Sequence, residues 1–199
     1  MSAAGTTARP SGRAAGRLQT IGIIAIVAVV IGILVYAASG QGPSDGVTEI
    51  NLGSGAAAAA PVVGAKPPDF TGVTYDGTTV SLSDYAGKPV WLTFGASWCP
   101  DCRTESADVE ATYKANKDQG LVVLGVFINE NASDVSGYAG RAGLTFPIVV
   151  DPNADIAAAY RSMGIPTHFF IGADGKIRET RIGAMSRDEM DRAVAGVMD

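Results

Sequence analysis

The sequence predicts an α/β domain built on a mixed sheet, and two observations carry that expectation. Apolar strand-like runs alternate with helical patterns from residue 90 to about residue 161, the order that sandwiches strands between helices. A second kind of strand pair then follows around Asp174-Gly175, a tight-turn signal that adds antiparallel strands to the sheet. With 199 residues, 47% of them hydrophobic and 18% charged, the chain holds roughly one domain with a buried core.

The elements follow in order. Thr71-Gly72-Val73 and Thr79-Val80-Ser81 flank Asp76-Gly77 and predict an N-terminal β-hairpin, and Ser83-Asp84-Tyr85 reads as a helical turn. Val90 to Phe94 is nearly continuous in apolar residues, as expected of a strand covered on both faces. Pro100 to about Asn116 is helical in pattern, and Leu121 to Ile128 is a second central strand. Ser133 is the expected cap of a helix running to about Ala142. A short strand over Phe146–Val150 and a helix over Ala154–Arg161 come next. The strands His168–Ile171 and Ile177–Thr180 form the last hairpin. Ser186 caps the final helix, with Asp188 and Glu189 in its first turn, where negative charge suits the helix dipole. No internal repeat is visible.

Upstream of residue 66 the composition changes. Ile21 to Ala38 is uncharged and just long enough to cross a bilayer. Arg9, Arg13 and Arg17 precede it, and no Lys or Arg follows closely, so the positive-inside rule leaves the N-terminus in the cytoplasm and the remainder outside. Small residues near Tyr36 make a cleaved signal peptide the rival reading, but the apolar run exceeds the usual h-region of about 7–15 residues, which favours an uncleaved anchor. Residues 39–65, rich in Gly, Ser and Ala, read as a flexible linker. The expected organisation is a cytoplasmic tail over 1–20, a single-pass signal anchor over 21–38, a linker over 39–65 and one domain over 66–199, which places the protein in the cell membrane with its domain outside. The formal net charge of −5, without a basic stripe, argues against nucleic-acid binding.

The two cysteines stand together in Trp98-Cys99-Pro100-Asp101-Cys102. A bridge across two intervening residues closes too small a loop to stabilise much. A structural zinc site takes four ligands, and His168 is the only histidine. Redox use of the pair is therefore favoured. A helix N-terminus offers unpaired N–H groups and a partial positive charge, which stabilise a thiolate. Cys99, at the helix start, is expected to be the more acidic and more exposed thiol, and Cys102, one turn in, the more buried one that resolves a mixed disulfide. Asp101 either opposes thiolate formation by its charge or is a solvated helix-start residue. Trp98 either belongs to a docking surface or packs on the helix. His168, at the start of a strand, reads more readily as structural than as a ligand or catalyst.

The segment Phe94-Gly95-Ala96-Ser97-Trp98-Cys99-Pro100-Asp101-Cys102 resembles the active-site segment of the thioredoxin superfamily. Met163-Gly164-Ile165-Pro166-Thr167 resembles its cis-proline loop, and Phe169 to Ile177 its terminal hairpin. The spacing and the anchor are most similar to the extracytoplasmic TlpA/ResA-like branch, related to AhpC/TSA proteins, and Asn129 to Pro147 matches the insertion of that branch. The resemblance covers roughly residues 66–199 and implies a thioredoxin-like fold, no cofactor, and a membrane-anchored thiol-disulfide oxidoreductase. Its partners would be protein disulfide substrates, among them apocytochrome c, and a membrane thiol reductase as electron donor. It implies roles for Cys99 as attacking thiol, Cys102 as resolving thiol, Pro166 as the cis-proline beside Cys99, and Glu130 as a carboxylate that tunes a thiol or relays a proton; the alternative for Glu130 is a surface loop acid. Ordinary thioredoxins often carry a buried acid where this chain has Thr93, so that role passes to Glu130 or to water.

Two further readings share the fold. A peroxiredoxin-type peroxidase needs an arginine that polarises peroxide, and the nearby Arg103 is expected to point along the helix. A Sco-like copper-handling protein would use His168 with the cysteines, but such sites separate their cysteines by three residues, and Cys99 and Cys102 are separated by two.

Overall fold

The structure is a computed structural model that describes residues 60–199 together with residues 27 and 29–31, which are helical and exposed. The expected tail, most of the expected anchor over 21–38 and the expected linker up to residue 59 lie outside the described residues. Among the described residues no helix is long and apolar enough to cross a membrane. The chain divides into two units, Met1–Asp45 and Gly46–Asp199, and the fold lies within the second.

Strands β1 (Thr71–Val73) and β2 (Thr79–Ser81) form an antiparallel pair beside the main sheet. Thr74 bridges Val149, and a Cβ on Gly72 would lie 2.4 Å from the Val149 side chain, so glycine permits this close approach. The five-stranded sheet comprises β3 (Val90–Gly95), β4 (Val122–Ile128), β5 (Ile148–Asp151), β6 (Thr167–Ile171) and β7 (Ile177–Ile182), in the order β5-β4-β3-β6-β7. Strands β5, β4 and β3 are parallel; β6 and β7 run antiparallel to their neighbours. The mixed sheet expected from the element order is therefore present. The helices are α1 (Pro100–Asn116), α2 (Ala132–Ala142), α3 (Asp155–Ala159) and α4 (Arg187–Met198).

Side chains of the central strands alternate between two cores, as the period of two requires. Trp91, Val123, Phe127 and Phe170 pack with Val109 of α1, Val135 of α2 and Met190 of α4. Trp91 stacks on Phe170 with ring centroids 5.1 Å apart. On the other face Leu92, Phe94, Leu124, Val126 and Phe169 pack with Phe70, Ile156 and Tyr160. The Tyr160 hydroxyl donates to the Pro68 carbonyl at 2.6 Å, and burial, with a smaller contribution from Asp69, holds this phenol well above its usual range.

Several boundaries differ from the sequence expectation. Asn131, rather than Ser133, caps α2, because its side-chain oxygen accepts from the Asp134 amide at 3.0 Å. Strand β5 begins at Ile148 rather than Phe146: Pro147 has no N–H to pair, and Phe146 turns into the core. Helix α3 is short and is started by the buried Asp151, whose carboxylate accepts from the amides of Asp155 and Ala157 at 2.8 and 3.0 Å. Burial pushes that carboxyl above its usual range while the amides pull it back. The last strand extends to Ile182. Ser186 starts α4 as expected, its amide and hydroxyl donating to the Glu189 carboxylate. Before the hairpin, the Gly64 amide donates to Ile177 and the Ile177 amide donates to Ala65, so backbone pairing with the sheet begins at Gly64.

Candidate active site

Strand β3 ends at Gly95, and the loop Ala96–Trp98 delivers Cys99 to the N-cap of α1. Cys99 and Cys102 are joined in a disulfide with Cα atoms 5.3 Å apart. The Cys102 amide donates to Cys99 Sγ at 3.2 Å, so the sulfur itself caps the helix. Pro100 takes the first helical position, where no donor is needed. Asp101 is exposed, as is Arg103.

The expected contrast in exposure is not present in this oxidised pair: Cys99 is 4% exposed and Cys102 7%. Ala96 packs with the two cysteines, and Ile165 packs against that cluster. The Ile165–Pro166 peptide bond is cis, Pro166 is buried, and Cys99 Sγ lies 3.8 Å from the Ile165 carbonyl oxygen. The surroundings contain exposed apolar side chains: Trp98 is 55% exposed, Met163 95% and Ile182 78%. Trp98 is thus more than half open to solvent.

Glu130 is 7% exposed. Asn129 before it adopts a left-handed backbone (φ 54°), which asparagine tolerates better than most residues. The Glu130 carboxylate accepts from the Ser97 amide at 2.6 Å and from the Ser97 hydroxyl. Glu130 is therefore no surface loop acid. Both of its oxygens are engaged in holding the loop that precedes Cys99.

A second buried carboxylate lies on α1, one turn beyond Cys102. Glu105 is 4% exposed, and its Oε2 accepts from the Met185 amide at 3.0 Å. Glu105, Cys102, Thr93 and Gly95 line one narrow cavity of about 20 Å³, enough for a single water. Sequence reasoning missed this residue. The available signal was its spacing, since residues three apart share a helix face.

Thr93 and His168 are register partners on β3 and β6. His168 is fully buried; Nδ1 lies 3.0 Å from the Thr93 hydroxyl and 3.3 Å from the Trp91 indole nitrogen. Nε2 faces Glu105 Oε1 at 3.4 Å. Both ring nitrogens thus point at neighbours within the core. Among the described residues no three His, Cys, Asp or Glu side chains converge as a metal site.

Comparison with known proteins agrees with the fold. The AhpC/TSA family model matches residues 63–180. The thiol-disulfide oxidoreductase ResA of Geobacillus kaustophilus is 35% identical over 135 residues, which span 68% of this chain and 78% of that protein. The thioredoxin-like protein YneN of Bacillus subtilis is 36% identical over 131 residues, 65% of this chain and 76% of that one. The crystal structure of a thiol:disulfide interchange protein of the thioredoxin family from Chlorobium tepidum superposes with a TM-score of 0.63 at 29% identity, covering 71% of this chain and all of that one.

Proposed function

The chain belongs to the AhpC/TSA family and is a thiol-disulfide oxidoreductase of the ResA type, and from that premise we propose that its Cys99–Cys102 pair reduces disulfides in proteins outside the cytoplasm. The observation that carries this reading is the disulfide itself: a closed pair at the start of α1, with Cys99 Sγ beneath the Ile165 carbonyl and exposed apolar side chains at Trp98, Met163 and Ile182.

The reduced pair begins the reaction. The helix N-terminus stabilises the Cys99 thiolate. That thiolate attacks one sulfur of a substrate disulfide; an S–S bond forms to Cys99, and the other substrate sulfur leaves as a thiolate that takes a proton. Cys102 loses its proton and attacks Cys99 Sγ, which releases the second substrate thiol and closes the Cys99–Cys102 disulfide. Two electrons have passed to the substrate, and a membrane thiol reductase returns two to the pair. Pro166 sets the Ile165 backbone over Cys99, where an extended substrate segment can pair with it. Glu130 holds the attacking loop, and Glu105 provides the carboxylate beside Cys102.

The uncharged run over 21–38, preceded by Arg9, Arg13 and Arg17, supports a single-pass anchor with the domain outside. Disulfides persist there, so a dedicated reductase has substrates; apocytochrome c is the substrate class implied by the family. The test uses the full chain in detergent, reduced and mixed with a disulfide-bonded protein. Wild type is expected to release substrate thiols and Cys99→Ser none; unchanged turnover in Cys99→Ser overturns the reading. On intact cells, a membrane-impermeant thiol reagent is expected to label the reduced pair, and protection of the pair until lysis overturns the placement.

A further inference from the structure

His168 carries a buried polar atom that the reaction as described does not use. The indole N–H of Trp91 can only donate, and it points at Nδ1 of His168. Nδ1 is therefore the acceptor, and the proton of the neutral ring sits on Nε2. That Nε2–H is fully buried and has no hydrogen-bond partner. The acceptor it faces is Glu105 Oε1, at 3.4 Å. A buried donor left unpaired costs free energy, and a shift of a few tenths of an ångström toward the carboxylate would relieve it. The other oxygen of Glu105 is held by the Met185 amide. The carboxylate is thus held by the Met185 amide, faces His168 of β6, and still borders the cavity that Cys102 lines.

We propose that His168 is a positioning residue for the second step of thiol-disulfide exchange: its Nε2–H fixes the Glu105 carboxylate at the cavity beside Cys102, so that the carboxylate takes the proton Cys102 must lose before attacking the mixed disulfide on Cys99. The proposal rests on the exchange reaction above. The proton passes from the Cys102 thiol to Glu105, directly or through one water in the cavity. The Cys102–Cys99 bond forms, the Cys99–substrate bond breaks, and the departing thiolate is protonated in turn. His168 neither gains nor loses a proton; Trp91 and Thr93 keep its Nε2–H turned toward Glu105. Thr93 occupies the strand position at which an acid was absent, and its register partner supplies the support for an acid reaching in from the helix.

The two steps separate in one experiment. The reduced full chain in detergent is mixed with the aromatic disulfide dithiobis(nitrobenzoate) in a stopped-flow cell: attack by Cys99 releases one chromophore, and attack by Cys102 releases the second. In His168→Phe, which keeps a ring but no nitrogen, the first release is expected to stay within about twofold and the second to slow about tenfold, a fraction of the ~10²–10⁴-fold that a positioned acid–base group contributes. His168→Gln, which can present an N–H near the Nε2 position, is expected to restore most of the loss. In a Glu105→Gln background His168→Phe is expected to add nothing, because the two act as one unit. An unchanged second release, equal slowing of both releases, failure of His168→Gln to rescue, or a full additive loss in the double variant each overturns the proposal. Should His168→Phe not fold, His168→Asn, which keeps a polar group near Trp91 and Thr93 but cannot reach Glu105, carries the same test. A wild type that releases only one chromophore would instead overturn the exchange reaction itself.

Discussion

Two buried carboxylates stand near the same cysteine pair, one at its rim and one at its floor, and their partners differ. At the rim, Glu130 accepts from the amide and hydroxyl of Ser97, two residues before Cys99. At the floor, Glu105 gives one oxygen to the Met185 amide, faces His168 with the other, and shares a small cavity with Cys102. A carboxylate whose oxygens are taken up by loop donors shapes the backbone. One that borders the cavity of a sulfur and is backed by an imidazole is placed for proton transfer. Equal burial does not imply equal work; the direction in which each side chain points decides it.

That contrast can be broken or sharpened by substitution. The largest effect is expected at the sulfurs: Cys102→Ser should leave the first chromophore release intact and abolish the second, trapping the mixed disulfide on Cys99, detectable by intact-protein mass. Next, Glu105→Gln should slow the second release about 10²-fold and spare the first, within the range of general acid–base catalysis. A first release slowed as much as the second would erase the distinction between floor and rim. Glu130→Ala should act otherwise. It leaves the Ser97 amide and hydroxyl without their acceptor, so it should lower stability by about 1–3 kcal/mol in denaturant melts and change the two releases in the same proportion. Selective loss of the second release in this variant would move the proton acceptor to the rim. The smallest effect is expected from Trp98→Ala, which should raise KM for a protein disulfide about threefold, the contribution of one exposed aromatic contact, without altering either release from the small reagent.

How much was legible in the sequence depended on the range of the contact. The cysteine pair and the proline loop are local patterns, and so are the strand and helix periods that predicted the mixed sheet. The two ends of Glu130's contact are 33 residues apart; the chain showed an acid near the right place but not that Ser97 consumes it. Glu105 was hidden for another reason. It sits among Arg103, Thr104 and Ser106, so it reads as part of a solvated helix face, and only the packing of α1 against β3 and the Met185 segment buries it. His168 could be seen as buried-strand material, but its orientation toward Thr93 and Glu105 depends on the β3–β6 register, which spans 75 residues.

By itself the sequence determined the cysteine pair, its place at a helix start, the α/β order and the family, because each is written in neighbouring residues or in short periods. Only the tertiary structure decided which carboxylate borders Cys102, what Glu130 binds and where His168 points. Those are contacts between distant segments, and their geometry is set when strands take their register and α1 closes onto the sheet, a step that no local pattern of residues encodes.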